Sequence, residues 1–228
     1  MAKVAVLGTG RVGRGLAAKM ASLGHDVVVG TRDPDALLAR TEPGDRGTPP
    51  FNVWLGANEG VSVATFADAA ASGDPIFNAT AGAASLAALG AAGAQNLAGK
   101  VLIDIANPLD FSKGMPPSLF TSSDDSLAEQ IQRAFPDAKV VKTLNTVTAA
   151  VMVDPGAVGG GDHDMFMAGD DAPAKTETEK ILKAWFGWRS VVDLGPLSAA
   201  RGMEMYLPLW VAMMMSRGNP LFNVKIVT

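Results

Sequence analysis

The sequence predicts an α/β protein with a doubly wound, mostly parallel sheet and a small C-terminal α/β lobe. Three observations carry this. A glycine-rich turn, GTGRVG at residues 8–13, joins the first apolar run to the first helical pattern. Apolar runs of strand length alternate with stretches of helical spacing over the first 145 residues, as for strands buried on both faces. The alternation then continues in shorter pieces to residue 228. Residues 1–145 are therefore read as a Rossmann nucleotide-binding domain, and residues 146–228 as a smaller lobe packed on it and lining its second pocket.

The elements follow in order. Residues 3–8, KVAVLG, form the first strand, and residues 11–24 a helix with Val12, Leu16, Met20 and Leu23 on one stripe and Gly24 as the stop. Residues 26–30 are the second strand, and 34–40 a short helix. Residues 41–60, rich in Pro and Gly, are expected to be a loop delaying the third strand at 61–64. A short helix (65–72), a strand (75–79), an Ala-rich helix (83–94) and a strand (100–106) follow. Residues 107–123 are read as irregular, 126–135 as an amphipathic helix and 138–144 as a strand. Strands at 164–169 and 190–195, with helices near 172–186 and 198–216, complete the chain.

Composition narrows the function classes. A chain of 228 residues, 48% hydrophobic and 18% charged, can bury a proper core. A net charge of −4 argues against nucleic acid or an anionic membrane as partner. Without cysteine there are no disulfides, thiolate nucleophiles or Cys-ligated metals, which suits a cytoplasmic protein. The longest apolar run, residues 205–215, is broken by Pro208 and too short for the roughly 20 residues of a membrane span.

Each glycine of the turn has a task. Gly8 permits the tight turn, Gly10 lets backbone approach a pyrophosphate, and Gly13 allows close packing of helix on sheet. Thr9, Arg11 and Val12 complete the loop, whose free N–H groups face the phosphates. An Asp or Glu normally ends the second strand and bonds the ribose 2′-hydroxyl of NAD. Here Thr31 and Arg32 stand there instead, a hydroxyl and a guanidinium fork suited to the 2′-phosphate of NADP(H). Asp33 lies one residue further and should point away.

With these residues quoted, the chain resembles the NADP oxidoreductases that depend on the deazaflavin coenzyme F-420. It is also similar to the cytosolic reductase domain of six-transmembrane metalloreductases. The likeness runs through GTGRVG, GTR (30–32), KVVKTLNTV (139–147) and DLGPLSAARGMEMYLPL (193–209). It implies that Ala79, Thr80, Ala106 and Asn107 border the nucleotide. It also implies that Asn145, Val147, Pro196 and Leu197 border a pocket where coenzyme F-420, or FMN or FAD, stacks on the nicotinamide. Three departures stand out: Ala36 replaces a second basic residue of some members, Asn145 replaces a histidine, and the 41–60 loop is long.

Candidate acid–base groups are few. His25 reads as structural, and Asp162, His163 and Asp164 are poor metal ligands by spacing, so no metal is expected. Tyr206 reads as core, and Lys142 either reaches the site or lies at a solvated strand end. No catalytic residue is assigned. Hydride exchange between two stacked cofactors needs little proton chemistry, and the small residues Ala79, Ala81, Gly82 and Ala83 leave room for two flat rings. The reading is an NADP(H)-dependent oxidoreductase linked to a deazaflavin or flavin. Alternatives are a reductase of a small imine or hydroxyacid, or an NADP-sensing regulator. The last helix, apolar all round at 205–215, implies a homodimer with Trp210 and Met214 near the contact.

Overall fold

The computed structural model describes residues 1–44 and 47–228. Its main sheet holds β1 (Lys3–Leu7), β2 (Asp26–Thr31), β3 (Val61–Thr65), β4 (Ile76–Asn78), β5 (Val101–Asp104), β8 (Lys139–Thr143), β9 (Asp164–Gly169) and β10 (Ser190–Asp193), between which lies a small hairpin, β6 (Leu109–Asp110) with β7 (Ser118–Leu119). The order across the sheet is β10-β9-β8-β5-β4-β1-β2-β3. The run from β3 to β8 is the doubly wound Rossmann order, so the expected fold class holds. All neighbours are parallel except β8 and β9, whose antiparallel register pairs Val141 with Gly169 and Thr143 with Met167. The boundary anticipated at residue 145 falls just before this reversal.

Side chains alternate across the strands, which makes two cores. Val4, Val6, Val27, Val29 and Ile103 face α1 (Arg11–Ser22), α8 (Ala149–Val153) and α9 (Ala172–Ile181). Ala5, Leu7, Val28 and Leu102 face the opposite layer, with α4 (Phe66–Ser72), α5 (Gly82–Ala92) and α7 (Leu127–Ala134). Each fully buried Val or Leu contributes roughly 1.5–3 kcal/mol, so both layers are needed to hold the sheet.

Caps set several helix starts. Asp33 accepts from Ala36 N–H at 2.9 Å and opens α2 (Pro34–Leu38). Ser126 accepts from Glu129 N–H at 3.1 Å and donates to Glu129 Oε2 at 2.7 Å, a reciprocal cap on α7. Asp171 caps α9 through Ala174 N–H, and this helix ends in a π turn over residues 182–186.

Three readings need correction. Residues 107–123 are not irregular throughout, since they carry the antiparallel hairpin of β6 and β7. Residues 41–60 are not all loop: α3 (Phe51–Gly56) starts after Pro50, and Phe51 is buried in the first core. The expected helix over 83–94 is two helices, since Gly93, at φ +87°, separates α5 from α6 (Ala94–Leu97). Residues 45 and 46 of the predicted loop lie outside the described residues. The final helix, α10 (Ala200–Arg217), keeps Pro208 inside it.

Candidate functional site

The site lies at the carboxyl ends of β1, β4, β5 and β8, across the point where strand order reverses. The glycine turn begins it. Gly8, at φ +121°, lies against β4, and a β-carbon there would sit 2.5 Å from the Ala79 carbonyl oxygen. A β-carbon on Gly13 would stand 2.0 Å from Gly8 O, so at this point the helix touches the turn itself. A β-carbon on Gly10 would meet nothing within 4 Å, and the amide nitrogens of Thr9 and Gly10 donate to nothing among the described residues. Open space and free donors at a helix start fit a phosphate.

Gly8, Thr9, Gly10, Arg32, Phe66, Ala79 and Thr80 line one cavity, of about 350 Å³. Arg32 is exposed and has no hydrogen-bond or ionic partner among the described residues. Thr31 ends β2 beside it, half-buried. Asp33 spends its carboxylate on the α2 cap, away from this corner.

A second cavity of about 570 Å³ adjoins the first through Ala79, Thr80 and Ala81. Arg11, Val12, Gly82, Ala83, Ala106, Asn107, Asn145, Val147, Met152, Leu207 and Trp210 are among its walls. A β-carbon on Gly82 would sit 1.9 Å from Asn107 O, so glycine is what lets α5 close onto β5 here. The predicted nucleotide residues thus line the two cavities, apart from Gly13 and from Thr31, which is half-buried beside Arg32 at the end of β2. Of the four predicted for the second pocket, Asn145 and Val147 line it. Pro196 and Leu197 do not: Leu197 is buried in the second core, its N–H on Asp170 Oδ1 at 2.9 Å.

Asn145 is aimed by its backbone. Leu144 before it takes φ +61°, a left-handed conformation uncommon for a side-chain-bearing residue, and is fully buried. The turn brings Asn145 Nδ2 to Asn107 Oδ1 at 3.0 Å and to Met203 O at 3.1 Å, while Asn107 Nδ2 returns to Asn145 O at 2.9 Å. The buried Asn145 Oδ1 has no partner.

Below this floor lies a cluster that sequence reasoning missed. Lys142 is neither at the pocket surface nor at a solvated strand end: it is fully buried, with Nζ 2.8 Å from both Asp104 Oδ2 and Glu204 Oε1, and it also donates to Ala106 O. Glu204 of α10 accepts in turn from the first N–H groups of α7, Leu127 at 2.8 Å and Ala128 at 3.2 Å. Asp104 Oδ1 accepts from Asn78 Nδ2 at 2.7 Å, and Asn78 Oδ1 accepts from the Thr80 hydroxyl at 2.7 Å. The two carboxylates outweigh burial and hold the Lys142 pKa above its ordinary value. Burial pushes the Glu204 carboxyl up, against the pull of Lys142. The signal was present in the sequence: single acids inside the apolar runs VLIDIA and MEMYLPLW seldom occur unpaired.

The other candidate acid–base groups lie away from the cavities. His25 Nδ1 accepts from Ala2 N–H at 3.2 Å, and its ring packs on Trp185; burial lowers its pKa. His163 bonds Pro155 O and Asn223 and meets Trp188 edge-on. Tyr206 is half-buried on α10, and burial raises its pKa. No group of three or more metal-ligating side chains occurs among the described residues, and no helix there is long and apolar enough to cross a membrane.

Comparison with known proteins gives a consistent picture. Residues 3–108 match the family described as NADP oxidoreductase, coenzyme F420-dependent. A crystal structure from Arthrobacter sp. FB24, provisionally described as an F420-dependent NADP reductase, is 55% identical over the whole of both chains, with a TM-score of 0.95. The F420-dependent NADP reductase of Methanothermobacter marburgensis is 29% identical over 92% of this chain and 91% of its own. The rat metalloreductase STEAP3 is 29% identical over 91% of this chain and 38% of its own length.

Proposed function

We propose that this chain, which belongs to the coenzyme F-420-dependent NADP oxidoreductase family, transfers hydride between NADP(H) and a deazaflavin or flavin. One observation carries the reading. A continuous crevice runs from the unpaired Arg32, past the open backbone at Gly10, into a mainly apolar chamber. NADP(H) fits its first part: Arg32 and Thr31 would hold the 2′-phosphate, and the N–H groups of residues 9–12 the pyrophosphate. Thr80 and Asn107 would border the nicotinamide end. The chamber is within the ~300–1,000 Å³ usual for a ligand pocket, and Ala79, Ala81, Gly82 and Ala83 keep one wall low for a flat ring.

The protein's contribution is then orientation and exclusion of water. The residues named here would hold the two rings for a direct hydride transfer, with the accompanying proton exchanged with solvent at a ring nitrogen of the flavin or deazaflavin, so no side chain would be oxidised or reduced. Among the described residues lining the chamber there is no His, Lys or Tyr. Asn145 and Asn107, locked to one another, would fix the floor against which the rings stack. The nicotinamide carbon supplies or accepts the hydride when the nucleotide is bound.

The test is a spectral titration of NADPH-loaded protein with coenzyme F-420, FMN and FAD in turn. Oxidation of NADPH by one of them is expected. NADPH that binds but is oxidised by none would move the reading to a small-substrate reductase or an NADP sensor. The proposal includes a homodimer, because α10 leaves Met205, Leu209 and Met215 about half exposed, and a cytoplasmic location, which suits a chain without cysteine. Light scattering is expected to report twice the 23.5 kDa chain mass.

A further inference from the structure

We propose that Arg14 is a positioning residue for the nucleotide and couples the glycine turn to helix α3. Arg14 sits in the first turns of α1, half-buried, with no carboxylate partner among the described residues. Its Nε donates to Thr9 O at 2.9 Å and its Nη1 to Pro49 O at 2.6 Å. The guanidinium lies over the rings of Phe51 and Trp54, 5.1 and 5.7 Å from their centres. A partly desolvated cation is thus spent on two backbone carbonyls and two aromatic faces, and burial lowers its pKa.

The geometry gives that arrangement a purpose. In a planar trans peptide the carbonyl and the next N–H point in opposite directions. By holding Thr9 C=O against α1, Arg14 turns the Gly10 N–H outward, where nothing among the described residues receives it. A second contact fastens the same side chain to Pro49, next to the start of α3. The orientation of the phosphate-facing amide and the seating of α3 therefore depend on one guanidinium. Arg14 lines neither cofactor cavity, so it acts on the nucleotide through Thr9 and Gly10.

This inference rests on the dinucleotide reading and separates from it experimentally. Arg14 should matter to the pyrophosphate, which NADPH and NADH share, whereas Arg32 should matter to the 2′-phosphate alone. Dissociation constants for both nucleotides are measured by titration on the unmodified protein, Arg14→Met and Trp54→Ala. Arg14→Met is expected to weaken both by about tenfold, the scale of a lost charge-assisted bond, leaving their ratio unchanged. Trp54, which also lines neither cavity, should weaken both by about threefold when cut to alanine. Reciprocally, NADPH should slow amide hydrogen exchange across Phe51–Gly56 in the unmodified protein.

Affinities within twofold of the unmodified protein in both variants would overturn the proposal. So would a changed NADPH-to-NADH ratio in Arg14→Met, since that marks a direct contact with the 2′-phosphate, or exchange in α3 unaffected by NADPH. Should Arg14→Met not fold, Trp54→Ala and the exchange measurement decide. Unmodified protein that binds neither nucleotide would instead refute the dinucleotide reading itself.

Discussion

The two ends of the crevice are built on opposite rules. At the β2 corner, Arg32 is exposed and unpartnered and Gly10 presents bare backbone, so polar groups are left unsatisfied. Under the chamber, Asn78, Asp104, Lys142 and Glu204 are all buried and bonded to one another, so polarity is consumed internally. Free donors and an unpaired cation are suited to recognising a charged ligand. A saturated network contributes no contact of its own but holds fixed the backbone of Ala106 and the α7–α10 junction. The contrast teaches that selectivity belongs to the exposed end and alignment to the buried one.

The largest effect expected from breaking that contrast is on stability. Lys142→Met would leave Asp104 and Glu204 facing each other in the interior without their cation. Losing one partner of a buried ion cluster typically costs about 3–5 kcal/mol, to be read from urea denaturation. A loss below ~1 kcal/mol would mean that the cluster is not what anchors α10.

Next in size, Arg32→Asp should leave the fold intact and remove the preference for NADPH. A charge-assisted hydrogen bond contributes ~1.5–3 kcal/mol, so NADPH should bind the unmodified protein at least about tenfold tighter than NADH. Equal affinities in direct titration would erase the distinction between the two ends.

A smaller effect concerns acid. The Arg201 guanidinium, bonded to Glu129 at 2.6 and 2.9 Å, holds the Glu129 carboxyl below its ordinary pKa. A depressed carboxylate contributes stability above its unfolded pKa of ~4.3 and loses it as pH falls through the lower folded value. Partial exposure keeps the contribution to about 1 kcal/mol or less. Glu129→Gln should therefore be less stable than the parent at pH 7 and converge with it in strong acid, as followed by thermal melts.

The smallest effect is expected on chemistry. Substituting His25, His163 or Tyr206 should leave the single-turnover hydride rate within about tenfold. A loss beyond ~100-fold, the scale of general acid–base catalysis, would place a proton-transfer group where none is assigned.

How far these features were legible in the sequence follows the same division. The glycine turn, the alternation of strands and helices and Arg32 are local signals, read from neighbours along the chain. The buried cluster is assembled from four distant segments. Lys142 stands in KVVKTL, a strand pattern that suits a solvated lysine equally well until Asp104 and Glu204 are brought to it. Helix α3 was hidden because Pro and Gly around it signal a loop, whereas Phe51 and Trp54 fold back onto the core and Arg14. Leu197 looked like pocket lining in a resembling segment, yet its apolar side chain found the second core instead.

Leu144 leaves its position with no easy neighbour in sequence space. Any residue with a β-carbon inherits the left-handed backbone, whose penalty is of order 1–3 kcal/mol. Glycine escapes that penalty in full, but it would empty a fully buried leucine site, a loss of roughly 2–5 kcal/mol on the scale of Leu→Ala. Asparagine tolerates the conformation and would bury an amide among apolar groups. Every single step from leucine thus trades one defect for another, and a saturation library at residue 144 is expected to be a local summit with descents on all sides.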